Sequence, residues 1–183
     1  MDNTFGFIAT LTYVGTLLPS NLKVAFPAFK QTGFYKTLQR NRAEFGLWTF
    51  ILSVLHACFV LYHHNPDLSG IEFYRKSVSG LLLLTIFTLL AVTSNKWSMR
   101  TLGKNWKRVH SLTYLALFLV PWHLIHKMSN QWSLATSISM TLVLNIIGIW
   151  LFRKYKNYRR QNEREQKNAG RKNARQDSSP TEA

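Results

Sequence analysis

Five stretches of this chain are long and apolar enough to decide what it can fold into. They run from about Phe5 to Leu22, Phe45 to Tyr62, Val78 to Thr93, Val109 to Ile125 and Trp132 to Phe152. A helix needs about 20 mostly apolar residues to cross a bilayer's hydrocarbon core. The aliphatic and aromatic residues come in blocks and are not dispersed as in a soluble core. The fold class expected is therefore all-α: an integral membrane helical bundle of about five transmembrane helices. The third stretch is short and draws on flanking polar residues. The first is interrupted by Pro19 and Lys23, and leads into the interfacial stretch "KVAFPAFKQTGF".

The 183 residues suffice for one such bundle and no large second domain. A net charge of +15 would suggest nucleic acid if it formed a face on a soluble fold. Here the cations sit between and after the apolar blocks, as membrane flanks do, so no nucleic-acid partner is expected. Lys30, Lys36, Arg40 and Arg42 separate stretches one and two; Lys96, Arg100, Lys104, Lys107 and Arg108 separate three and four; Arg153, Lys154, Lys156, Arg159 and Arg160 follow five. The alternate side has a nearly empty N-terminus, a mixed loop (Asp67, Glu72, Arg75, Lys76) and lone Lys127. The positive-inside rule then places the N-terminus outside and the C-terminus in the cytoplasm. A bacterial plasma membrane is the expected location, with a thylakoid or other internal membrane compatible. The start, Met1-Asp2-Asn3-Thr4, lacks the basic region of a secretory signal, so the first stretch reads as a retained helix.

Residues 1–152 form the expected membrane domain and 153–183 a basic tail. Beyond Tyr158 the tail is too polar to bury a core and is expected to be disordered. It would serve as an anchor on anionic lipid headgroups or, less simply, as a dock for a soluble partner. The single cysteine, Cys58, cannot form an internal disulfide, and no Cys-x-x-Cys-His is present for covalent haem.

Three histidines lie in or at the mouth of apolar stretches, where imidazole is costly and marks a pathway or a cofactor. His56 is fourteen residues after Arg42, and His123 sixteen after Lys107. That puts them about 21 and 24 Å above their cytoplasmic anchors, at nearly one depth in the outer half of the bilayer. Two imidazoles at matched depth on two helices suit the axial positions of one non-covalent b-type haem, with His56 and His123 as iron ligands. Structural histidines bonded to backbone carbonyls or hydroxyls are the plainer alternative. His110 lies only about 5 Å above Lys107, and no histidine sits low on the second stretch to pair with it. One haem site is complete; a second would need an unrecognised partner for His110. His63, His64 and His126 read as outer-interface residues. The thirteen-residue spacing of His110 and His123 does not put them on one face of an ideal helix, and Pro121 is positioned to kink it.

The stretches "LGKNWKRVHSLTYLALFLVPWHLI" and "RNRAEFGLWTFILSVLHACFVLY" resemble the signature of ferric-reductase-like transmembrane domains. Within that superfamily the short single-domain form is most similar to the MsrQ-type haem-binding membrane subunits of methionine sulfoxide reductase systems. The resemblance runs from about Thr10 to Phe152 and includes "TLLPSNLK". It implies that His56, His110 and His123 are cofactor residues in a path from a cytoplasmic flavin or NAD(P)H donor to an acceptor across the membrane. Relatives with two haems carry two histidines on each of two helices; here the inner position on the second stretch is around Arg42. Arg42, His110, Lys107 and Arg108 are then candidates for an FMN or FAD phosphate or a quinone head at the cytoplasmic side, or simply topology-setting charges.

No Gly-x-Gly-x-x-Gly is present, so a separate cytoplasmic flavoprotein reductase or a membrane quinol is the expected donor. The expected acceptor is a periplasmic oxidoreductase or ferric iron. Alternatives are a quinol-linked cytochrome b, and a non-catalytic assembly or transport protein with structural histidines.

Overall fold

The computed structural model describes residues 2–64, 71–127 and 133–177. Over these residues it is helical: α1 (Asp2–Ala25), a 3-10 turn (Pro27–Gln31), α2 (Gly33–Arg40), α3 (Arg42–His64), α4 (Ile71–Val92), α5 (Lys96–Leu102), α6 (Lys104–His110), α7 (Leu112–Lys127) and α8 (Leu134–Asp177). Asp67, Trp132 and residues 178–183 lie outside the described residues, and for His64, Glu72, Arg75, Lys76 and Lys127 only the backbone is described.

Five helices close a ring. α1 packs on α3 and α8, α3 on α4, α4 on α7, and α7 on α8. α1 and α3 run antiparallel: Gly6 lies at His56, Thr12 at Thr49 and Gly15 at Phe45. α4 and α7 do likewise, with Ser79 at His123 and Thr93 at His110. The connection between α3 and α4 is short and the two pack together, which makes them antiparallel too. α1 and α4 therefore run in the same direction.

The middle of the ring is filled by Tyr13, Val14 and Leu17 of α1, Leu83, Ile86 and Phe87 of α4, Ala116, Leu117 and Val120 of α7, and Val143 and Ile146 of α8. Tyr13 sits at the centre. Its ring lies 5.3 Å from that of Phe87, and its phenol donates to the Thr113 carbonyl. α3 adds no fully buried apolar residue to this set and leaves Leu47, Trp48, Ile51 and Leu55 exposed, a surface for lipid to cover.

By length and apolarity, α3, the α6–α7 pair and α8 qualify as membrane spans, and α4 with α5 forms a fourth bent by 94°. The chain is a multi-span helical membrane protein with three to four candidate spans. α1 has 24 residues, so it is long enough, but it is not among the candidates. Its threonines explain why a helix this polar still packs inside. Thr10 donates to the Gly6 carbonyl, Thr12 to Ala9 and Thr16 to Tyr13, so each hydroxyl is satisfied on its own helix. The helix also runs through Pro19 rather than stopping there. The expected interfacial stretch becomes the 3-10 turn and α2, whose start is capped by Thr32.

Two features were not foreseen in the sequence. From Arg153 α8 continues as helix to Asp177. Nucleation, the costly step, has already been made in the apolar half, and Arg, Lys, Gln and Glu then extend the helix well. The second concerns the helix carrying His110 and His123. α7 runs through Pro121, and a break that the sequence did not mark falls at Ser111, whose N–H bonds both the Lys107 and Arg108 carbonyls. This tightened turn resets the helical phase, so both histidines meet α4 despite their spacing.

The junction between α5 and α6 rests on Gly103, the one glycine with positive φ among the described residues (φ 49°, ψ −117°). A Cβ there meets nothing within 4 Å, so Gly103→Ala costs backbone strain alone, about 1–2 kcal/mol. Thermal unfolding in detergent is expected to show a correspondingly lower midpoint than the parent chain.

Candidate functional site

His123, half-buried on α7, turns its ring onto α4. Its Nδ1 lies 3.1 Å from the Ser79 hydroxyl. When Nδ1 donates to that oxygen, Nε2 keeps the lone pair that a metal would take. Gly80 makes room for the ring: a Cβ there would stand 3.0 Å from His123 Cε1, so the ring would have to give way. His56, half-buried on α3, has the same relation to α1. A Cβ on Gly6 would come within 3.3 Å of His56 Cε1, 3.4 Å of Nδ1 and 3.5 Å of Nε2. Each imidazole thus occupies a slot left by a missing side chain on the adjacent helix.

The central stack puts the two slots on one level. Gly6 is seven residues before Tyr13 and Gly80 seven before Phe87, and the Tyr13 and Phe87 rings touch. Since α1 and α4 run the same way, both slots lie about 10 Å from that stack toward the same end. α3 and α7 are not neighbours in the ring; each packs on α4. Two imidazoles at one height, on helices held apart, are a donor set that fits a bis-histidine haem. Among the described residues there is no cluster of three or more His, Cys, Asp or Glu side chains that would suit another kind of metal centre.

His110 lies at the other end of the bundle. Thr93, its partner through a 3.3 Å contact between Oγ1 and Nε2, is thirteen residues along α4 from Gly80, about 20 Å. Trp106 stacks on the imidazole at 4.0 Å while its indole N–H donates to the Thr93 carbonyl, closing the end of α4. The half-buried Arg42, at the start of α3, acts electrostatically on this ring. Lys107 and Arg108 are in the last turn of α6 but exposed. The structure therefore groups Arg42 with His110 and leaves Lys107 and Arg108 to solvent or headgroups. His63 packs on Phe59 at 4.4 Å, and His126 stacks on Trp122 at 5.6 Å.

Asn21 was not singled out by the sequence. It shares the inner face of α1 with Gly6, Tyr13 and Leu17, at spacings of seven, four and four. It is fully buried, and neither its Oδ1 nor its Nδ2 has a hydrogen-bond partner. Fifteen residues from Gly6, about 22 Å, it lies near the level of His110. Nearby, half-buried Arg153 donates to the Ser20 carbonyl (3.3 Å) and the Tyr114 hydroxyl (3.2 Å). The slots at Gly6 and Gly80 were missed as well. Only their helical spacing from the central aromatics could have marked them, and that needs the helix pairing to be known.

Comparison with known proteins bears on this arrangement. The profile of the family described as "Ferric reductase like transmembrane component" matches residues 5–121. Curated relatives named "Protein-methionine-sulfoxide reductase heme-binding subunit MsrQ" match from Salmonella arizonae, at 30% identity over 133 residues (67% of this chain, 64% of the relative), and from Yersinia enterocolitica, at 32% over 133 residues (67% and 62%). A shorter match from Salmonella paratyphi B is 36% identical over 92 residues (47% and 46%). The chain spans less than two thirds of the length of these relatives.

A buried amide without partners costs about 1–3 kcal/mol. Asn21→Leu, close in size, is expected to raise the thermal midpoint of the ligand-free protein in detergent. A lower midpoint would mean that the amide is bonded after all.

Proposed function

The chain belongs to the ferric reductase-like transmembrane component family, and from that premise we propose that it is a transmembrane electron carrier with a b-type haem held by His56 and His123. The observation that carries this reading is the pair of imidazoles at one level, each in a glycine slot on a neighbouring helix. Bound there, haem would supply a one-electron iron couple whose chemistry belongs to the cofactor. The protein's part is positioning. His56 and His123 supply the two nitrogens, Ser79 sets the tautomer of His123, and Gly6 and Gly80 leave the rings their space. The apolar ring would keep water away from the group and, together with His56 and His123, would tune its redox potential.

In this reading α1 joins the other spans to make five, with the N-terminus outside and the basic end cytoplasmic. All three basic clusters then lie on one side, as the positive-inside rule asks. Electrons enter at the basic end from a separate flavoprotein or NAD(P)H-dependent reductase. They leave at the opposite face to a periplasmic oxidoreductase, of which the methionine sulfoxide reductase named for the relatives is the leading candidate, or to ferric iron. The membrane is a bacterial plasma membrane.

A second reading, a quinol-linked cytochrome b, draws on Asn21. A fully buried, unpartnered amide near the level of His110 and Arg42 suits the carbonyl of a quinone head or the polar edge of a flavin. Reduction by quinol in purified protein, with no flavoprotein added, separates this reading from the first.

An oxidised and dithionite-reduced spectrum with pyridine haemochrome quantification is the direct test. About one b haem per chain is expected. His56→Ala and His123→Ala should each abolish its signal, and an unchanged spectrum in both would sink the assignment. Ser79→Ala and Gly80→Ala should weaken haem retention by about 10-fold, as changes behind a metal ligand do. Gly148→Ala, where a Cβ meets nothing within 4 Å, should leave it unchanged. His110→Ala should keep the haem but slow its reduction from the cytoplasmic side.

A further inference from the structure

The long continuation of α8 carries its charge in an ordered way. Arg153, Lys156, Arg160, Arg164 and Lys167 follow one another at spacings of three, four, four and three. On a helix this places all five within about 80° of arc, a single stripe roughly 21 Å long. Five cations outnumber the acidic residues near the stripe: Glu163 lies at its edge and pairs with Arg159, 3.8 Å away, while Glu165 falls well around the helix.

The direction of the stripe is set by its first member. Arg153 points into the bundle, to the Ser20 carbonyl and the Tyr114 hydroxyl. The buried Ser139 and Ile146 precede it by fourteen and seven residues, so the stripe continues the face of α8 that packs against the ring. It therefore descends beneath the bundle's basic end, where Arg42, Lys107 and Arg108 also lie.

Two partners carry enough negative charge: anionic headgroups and an acidic protein. Distance decides between them. α8 is one unbroken helix from Leu134 to Asp177. Arg164 and Lys167 lie roughly 17 and 21 Å beyond Arg153 along its axis. A surface potential decays over a Debye length of about 8–10 Å. Headgroups can engage the first turn of the stripe but not its far half. An acidic soluble protein standing under the basic end can engage all of it.

We propose that this cationic stripe is a docking rail for an acidic soluble electron donor, held with its redox centre beneath the basic end of the bundle. The proposal rests on the electron-carrier reading. The rail works by electrostatic steering: it raises the association rate and orients the donor, and it makes both sensitive to salt.

The test uses the full chain in nanodiscs of neutral phosphatidylcholine, with reduced flavodoxin, a small acidic flavin protein, as the probe. Binding to the discs and haem reduction are both followed. Charge reversal of Lys156, Arg160, Arg164 and Lys167 to Glu should lower the association rate at least about tenfold at low salt. Reduction by dithionite should be unchanged. Inserting two alanines after Lys154 keeps every charge but rotates the stripe by about 200°, and should cost most of the same effect. Equal rates for all three proteins would overturn the rail. A parent chain that shows no haem even with dithionite would overturn the electron-carrier reading instead, leaving the binding comparison to decide the rail. A spin label at Asn168→Cys, in a Cys58→Ser background and in discs containing phosphatidylglycerol, should report water. Contact with lipid there would assign the stripe to the membrane and overturn the proposal.

Discussion

A peptide group left unpaired in hydrocarbon costs several kilocalories per mole, and this constraint governs everything else in the protein. It forces the apolar stretches into helices. It also explains how α1, with its several threonines, packs inside the bundle: its threonine hydroxyls are spent on its own carbonyls. Where a helix ends within the bundle, the freed groups find partners at once. Trp106 takes the Thr93 carbonyl, and Asn95 caps α5 by accepting from the Ser98 N–H while its amide donates to the Val92 carbonyl. Against this background the partnerless amide of Asn21 stands out. Among the described residues it is the one buried side chain whose polar atoms have no partner.

The same economy shapes the histidine slots. An imidazole in an apolar interior needs a polar partner and space. Ser79 supplies the first for His123, and glycines at 6 and 80 supply the second for both rings. Small residues at a helix contact usually let backbones approach closely. Here they admit a ring from the opposing helix. The two slots share a level because they are tied to one aromatic stack, Tyr13 on Phe87, by equal seven-residue offsets. Tyr13 is thus a ruler for the bundle as well as its central packing residue.

Much of this was legible in the chain itself. The helical class, the spanning stretches two to five and the matched depth of His56 and His123 followed from apolar length and counting from basic anchors. What counting could not deliver was rotation. Depth accumulates at 1.5 Å per residue and tolerates local irregularity, whereas facing direction turns about 100° per residue and is lost at one tightened turn. The turn at Ser111 did this between His110 and His123, at a place the sequence did not mark. The tail misled for a related reason. Its composition matches a disordered segment, but composition does not record that a helix already formed in the membrane is waiting to be extended.

The sequence by itself determined that this chain crosses a membrane as helices, which end of the bundle is basic, and at what height its histidines stand. These are one-dimensional properties, set by length, charge and position along the chain. Tertiary structure alone decided that α3 turns much of its apolar surface outward and that His56 meets α1 while His123 meets α4. It alone decided that Asn21 is buried without a partner and that the cations of α8 line up beneath the basic end. Those depend on which helix faces are brought together, and packing of distant segments chooses that, not any property of a segment read alone.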